Sequence, residues 1–239
     1  MTAGRDRGLT AVSDRDWEAR IAAAIEAVDP GRLPVVVELS GMPKVGKSMF
    51  ADAITDLFRT AGCRVAESPD AKVEFPVRDR WRFDFSAWAV VAFVKRFLEL
   101  KESGHQVIVA DRGLFDAMAW LRLKAELGRC DQGTLSHLRA LAYSRPWWHQ
   151  HFLVLLFLSS AEDVLARASE RRLYEGASPV TTRANIEPLR RALQAEAALC
   201  NREGRLVKEF DVSGISAAEV LRAGAEEVVS SLEQHARVE

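Results

Sequence analysis

Apolar residues follow two rhythms along this chain: short, nearly continuous runs alternate with longer stretches in which they return every three or four positions. The runs at 35–39, 63–66, 107–110, 152–158 and 205–210 read as strands, and FLVLLFL at 152–158 is the most hydrophobic of them. Such runs suit parallel strands covered on both faces. The helical spacing predicts helices over 48–60, 86–101, 116–127, 134–143, 160–170, 186–201 and 216–232. A further helix, capped by Ser13 or Asp14, would carry Trp17, Ile21, Ala24, Ile25 and Val28 on one stripe and stop at Asp29-Pro30-Gly31. Residues 1–12 are expected to be disordered. Residues 71–85, rich in Arg, Trp, Phe and Pro without a steady period, are expected to form an irregular loop. Strands alternating with helices, with no strand-turn-strand signal, predict the α/β class: a three-layer α/β/α arrangement around a doubly wound, parallel, five-stranded sheet. Ligands then belong at the carboxyl ends of the strands. Residues 1–32 form a tail and an appended helix, and 33–239 a single domain.

The first strand changes the picture, because it empties into Gly41-Met42-Pro43-Lys44-Val45-Gly46-Lys47-Ser48, followed by Met49. This is G-x-x-x-x-G-K-[ST] in full, between a strand and an amphipathic helix, and it is a P-loop. The spacing lets the chain fold back around a phosphate with successive amides pointing inward, and glycine tolerates the dihedrals this needs. Lys47 can place its charge on the β and γ phosphates of ATP, and Ser48 can offer its hydroxyl to Mg²⁺. The helix that starts there aims its positive end at the same anion.

A P-loop alone leaves kinase, motor, GTPase and switch open, and the third strand narrows the choice. It ends in Asp111, placed to share Mg²⁺ with Ser48, and is followed by Arg112 rather than the water-activating glutamate of many hydrolytic ATPases. An arginine there offers a cation to a phosphoryl group or an acceptor.

With these residues the chain resembles the P-loop nucleoside and nucleotide kinases, in particular their deoxynucleoside and thymidylate kinase branch. The resemblance rests on the P-loop, on the Asp111-Arg112 pair, and on the arginine-bearing polar stretch after the fourth strand. It implies transfer of the ATP γ-phosphoryl to a hydroxyl or phosphate of a small nucleoside- or nucleotide-like acceptor, with Mg²⁺. It also implies a lid, at about 167–185, whose Arg167, Arg171 and Arg172 would cover the phosphates, and an acidic residue near the end of the second strand beside the acceptor. Glu67 stands at that place, although the chain reads Glu-Ser-Pro where the family has Glu-Pro, and Asp70 is the alternative. ATP over GTP follows from the same resemblance and from the lack of an Asn-Lys-x-Asp guanine reader.

Composition trims the alternatives. Thirty-three Lys and Arg against 34 Asp and Glu give a formal net charge of −1, which supplies no global field for nucleic acid or an anionic membrane. A polynucleotide kinase is correspondingly disfavoured. Three scattered cysteines with no C-x-x-C pair, and His149 and His151 with no third ligand, argue against a zinc site or disulfide framework. No apolar run reaches a membrane span and no signal-peptide h-region opens the chain, so a cytoplasmic location is expected. Trp81, Phe83, Phe85 and Trp88, interleaved with Arg78, Arg80, Arg82 and Asp84, read either as a base-stacking surface or as packing, and Trp147-Trp148 either as an exposed or interfacial aromatic edge or, preferably, as packing before the fourth strand. Asp116 reads either as a contact to a sugar hydroxyl or as a carboxylate placed by the helix dipole. A homodimer is possible through the helices flanking the third strand. The competing class is a nucleotide-dependent switch that hydrolyses slowly and binds a protein partner.

Overall fold

The computed structural model describes residues 15–70, 79, 81–175 and 182–237. The expectations for residues 1–12 and for most of 71–80 fall outside them. Five parallel strands form one sheet in the order β2-β3-β1-β4-β5: β1 Val35–Gly41, β2 Val65–Ser68, β3 Val107–Asp111, β4 His151–Leu158 and β5 Val207–Asp211. The helices are α1 Arg15–Ala27, α2 Lys47–Thr60, α3 Phe83–Glu102, α4 Leu114–Glu126, α5 Gln132–Ala142, the short α6 Arg145–Trp148, α7 Ala161–Glu175, α8 Arg183–Arg202 and α9 Ala217–Arg237. The predicted three-layer α/β/α class with its doubly wound five-stranded sheet is the observed one. Most boundaries shift by one to five residues, and two of the shifts bear on the site. The second strand starts two residues later, at Val65, and α3 takes in Phe83–Phe85.

β1 is central and every residue in it is buried. Its pleat sends alternate side chains to opposite faces. Val35, Val37 and Leu39 join the core, while Glu38 and Ser40 turn to α4, where they bond the main chain of Gly113 and the side chain of Asp116. A strand that reads as apolar therefore carries a polar face. α2 and α9 cover one face of the sheet, and α3, α4 and α8 the other. α2 and α9 approach so closely that a Cβ on Gly224 would lie 2.3 Å from the Phe50 ring.

The predicted stripe of α1 is buried through Trp17, Ile21, Ala24, Ile25 and Val28. α1 lies along α9, where Arg20 bonds Glu226 and Glu233, and the Trp17 indole N–H donates to Glu226 at 2.7 Å. On the other side of the sheet, Glu196 of α8 accepts hydrogen bonds from Arg122 of α4 at 2.9 Å, from the Tyr143 hydroxyl at 2.8 Å and from Arg139 of α5. Its carboxylate is almost wholly enclosed, so this satisfaction is what makes the burial tolerable. Among the described residues no helix is long and apolar enough to cross a membrane.

Candidate active site

The turn after β1 has the dihedrals that the glycine spacing anticipates. Gly41 (φ 129°) and Gly46 (φ 91°) lie where side chains are disfavoured, and Lys44 joins them at φ 62°. Gly41 also has no room for a side chain, because a Cβ there would sit 2.1 Å from the Phe157 carbonyl oxygen of β4. The close approach is needed for the Met42 amide to bond that carbonyl at 3.0 Å, tying the P-loop to the sheet. α2 then starts with no capping side chain, leaving the anion-binding end of the helix to a ligand.

Lys47 is buried, and its ammonium donates to the carbonyls of Met42 at 2.6 Å and Gly41 at 3.2 Å. Burial, with the nearby Arg112 charge, pulls its pKa down to about 7. A lysine held this way is an incompletely solvated cation, and a polyphosphate is the natural anion to complete its shell. The Ser48 hydroxyl donates to Asp111 Oδ2 at 2.8 Å, so the two expected Mg²⁺ ligands meet between the start of α2 and the end of β3. Two oxygen donors from separate elements, beside a phosphate cradle, fit a hard cation that keeps several waters.

Arg112 follows in the left-handed region at φ 68°. For a side-chain-bearing residue this costs on the order of 1–3 kcal/mol and persists only where surroundings enforce it. They do so here: its guanidinium bonds Asp116 at 2.8 Å and Asp70 at 3.1 Å, and its amide donates to the Leu39 carbonyl at 3.0 Å. Burial opposes the guanidinium charge, but Asp116, Asp70 and Asp111 outweigh it, so the arginine is held more firmly charged than usual. Asp116 in turn accepts from the Ser40 hydroxyl at 2.8 Å. The P-loop and the carboxyl ends of β2 and β3 thus bring together a polar cluster: the bonded group of Ser40, Asp70, Arg112 and Asp116, the Ser48–Asp111 pair, and the charge of Lys47, which feels Arg112, Asp116, Asp111 and Asp70.

The other expected site residues fall as follows. Glu67 does not join the cluster; its carboxylate is half exposed and pairs with Arg59 of α2 at 2.8 Å. Strand alternation explains this, since Ser68 and then Asp70 turn inward as Glu67 turns out. Arg167 donates to the Val212 carbonyl, beyond β5, at 3.4 Å. The side chains of Arg171 and Arg172, and residues 176–181 of the expected lid, lie outside the described residues. Arg183 makes an exposed pair with Glu162. Of the aromatic cluster, Trp81 stands edge-on to Trp120 with Arg129 over its ring, Phe85 lies under Lys124, and Phe83 packs on the core. Trp148 is buried against His151 with the rings stacked at 4.4 Å.

No protein-family model and no curated protein matches the chain. Solved structures do. The structure of deoxyadenosine kinase from M. mycoides with bound dCTP is similar with a TM-score of 0.59 and 15% identity, covering 82% of this chain and all of that one. The same enzyme with bound dATP gives 0.57 and 14% over 81% of this chain and 98% of that one. The chain has a deoxynucleoside kinase-like P-loop fold. A third structure of the M. mycoides enzyme, with the products dCMP and a flexible dCDP, gives 0.57 and 16% identity over 84% of this chain and 100% of that one.

In this kinase-like fold, β1 sits between β3 and β4, and the polar cluster occupies the crevice at its carboxyl end. Reading the sequence alone passes over two members of the cluster's support. Ser40 and Glu38 hide inside an apolar run, and the available signal was that a charge in the centre of a buried strand needs a partner.

Proposed function

We propose that this protein is a Mg²⁺- and ATP-dependent phosphotransferase that moves the γ-phosphoryl of ATP to a hydroxyl of a nucleoside-like or similar small acceptor. The observation that carries the reading is the Ser48–Asp111 bond beside the buried Lys47, with Arg112 on the same turn as Asp111. Lys47 exchanges its two carbonyl partners for the β and γ phosphate oxygens. Ser48 and Asp111 would hold Mg²⁺, which when bound would supply positive charge to the triphosphate. Arg112 meets charge that develops on the moving phosphoryl group, and Arg167, Arg171 and Arg172 close over it; electrostatic stabilisation and positioning are most of what such a transfer needs. Of the two carboxylates considered for the acceptor's proton, Asp70 takes the role because it is buried beside Arg112, while Glu67 is half exposed and turned to Arg59 of α2. M. mycoides deoxyadenosine kinase, whose fold is shared, supports a deoxynucleoside as the first acceptor class to test.

The test is the fate of γ-labelled phosphate in the presence of Mg²⁺ and a panel of deoxynucleosides and nucleotides. Label is expected on an acceptor, with Asp111→Asn abolishing transfer. Label released only as inorganic phosphate, or retained in ATP, would favour a nucleotide-dependent switch instead.

A further inference from the structure

The carboxylate of Glu38 lies at the centre of the sheet, fully buried, and the transfer chemistry just described does not use it. Its two oxygens accept three main-chain N–H groups at the start of α4: Oε1 from Gly113 at 2.8 Å and Asp116 at 2.9 Å, and Oε2 from Phe115 at 3.1 Å. These amides are ones that a helix cannot satisfy itself and that a local Ser, Asp or Asn usually caps. α5 is capped in that ordinary way, by Asp131 on the Thr134 amide. α4 has Gly113 at the same position and no capping side chain of its own. The glycine leaves room for the carboxylate, since a Cβ there would fall 2.7 Å from Glu38 Oε2. The cap has been handed to a strand residue 75 positions earlier in the chain.

A carboxylate is an expensive way to cap a helix in a dry interior. The groups facing it bring no compensating cation: His151 of β4 is 3.9 Å away and kept neutral by burial, and the Asp116 carboxylate repels it. What the arrangement supplies is a rigid link. Glu38 stands three residues before Gly41 on the strand that becomes the P-loop, and it grips the turn that carries Asp111 and the left-handed Arg112.

We propose that Glu38 is a positioning residue for the transfer reaction: it fixes the turn between Asp111 and Asp116 relative to the P-loop, and so holds the Arg112 guanidinium in register with Lys47. This rests on the kinase reading above. An amide is not an equivalent substitute, because Gln offers one oxygen and must set its own N–H₂ against at least one of the three donors.

A double-mutant cycle tests it, with Glu38→Gln and Arg112→Ala singly and together, read in transfer to a deoxynucleoside. Glu38→Gln is expected to lower kcat about ten- to a hundredfold, the scale of a ~1 Å misplacement, with KM for ATP little changed. In the Arg112→Ala background the same substitution is expected to add almost nothing, since the group it positions is gone. Losses that simply multiply would overturn the proposal, because a residue serving stability alone is blind to Arg112. A second readout needs no turnover: in Glu38→Gln the amides of Gly113, Phe115 and Asp116 are expected to exchange hydrogen faster while those of Val37 and Val109 keep their protection. Unchanged exchange at the three amides also overturns it. A wild type that transfers nothing would remove the kinase reading and this proposal's catalytic claim together, and the exchange result would still report whether Glu38 holds the turn.

Discussion

Replacing Lys47 by methionine separates what the P-loop does for the ligand from what it costs the fold. With its pKa lowered from 10.5 to about 7, the buried ammonium is a liability in the empty protein. The unfolded chain binds this proton more tightly, so at pH 7 the shift corresponds to about 4 kcal/mol of lost stability. Methionine has similar length and no charge. Against the gain stand the carbonyls of Gly41 and Met42, which lose their donor at about 1 kcal/mol each. Lys47→Met is therefore expected to be more stable than the wild type by about 2 kcal/mol, or about 4–8 °C in Tm for a chain of this size. The sign with pH is fixed too. A depressed lysine destabilises below its folded pKa, and the penalty fades as pH rises from about 7 toward 10.5, so the gap between the two proteins narrows in alkali. Differential scanning calorimetry at pH 7 and at about pH 9 measures both, and ATP with Mg²⁺ should raise the melting temperature of the wild type only, by mass action. A variant that melts below the wild type at pH 7, or a gap indifferent to pH, would refute the argument.

Three further outcomes follow from the packing. Gly41→Ala forces a Cβ against the backbone of Phe157 at an unfavourable φ, and is expected to cost about 4 kcal/mol or more, read as loss of soluble protein or of the urea transition. Trp17→Ala should destabilise by about 3 kcal/mol and Arg20→Ala by about 1, because buried aromatic area rather than partly exposed ion pairs holds α1; comparable urea midpoints for the two would contradict this. Glu38, raised from 4.5 to about 7, makes the fold less stable as pH rises through that range, and His151, lowered from 6.5 to about 3, makes it less stable as pH falls through its own. Between pH 4.5 and 6.5 the two slopes oppose, so Glu38→Gln should expose a rise of about 1.4 kcal/mol per pH unit from His151 in urea titrations, and an unaltered profile would sink the assignment.

The parts of the molecule that could be read from sequence are those fixed by near neighbours. Gly41 to Ser48 declare the cradle because backbone dihedrals and helix start are local matters, and the apolar runs declare β3 and β4 because burial on both faces leaves almost no polar position to interpret. Where a partner lies far along the chain, the reading thins. Glu38 looks like an intruder in VVVELSG until residues 113–116 fold over it, and Asp70 could not be preferred to Glu67 without the pleat that turns one inward and the other out. The Arg112–Asp116 bond did have a local sign, the i to i+4 spacing of opposite charges, but the first-turn dipole accounted equally well for that carboxylate. Trp81 is ambiguous for another reason: stacking on a base and edge-on packing against Trp120 demand the same side chain.

Glu196 has a meaning beyond its own satisfaction. One carboxylate receives Arg122, Arg139 and Tyr143, from α4, α5 and the residue just after α5, so three segments share a single anion. If α8 swings away, Arg122 and Arg139 are left facing each other without the anion they share; if α4 or α5 does, the buried carboxylate loses part of the donor set that makes its burial tolerable. Opening on that flank is then all or nothing, and native-state exchange should register α4, α5 and α8 as one cooperative block rather than three helices fraying in turn.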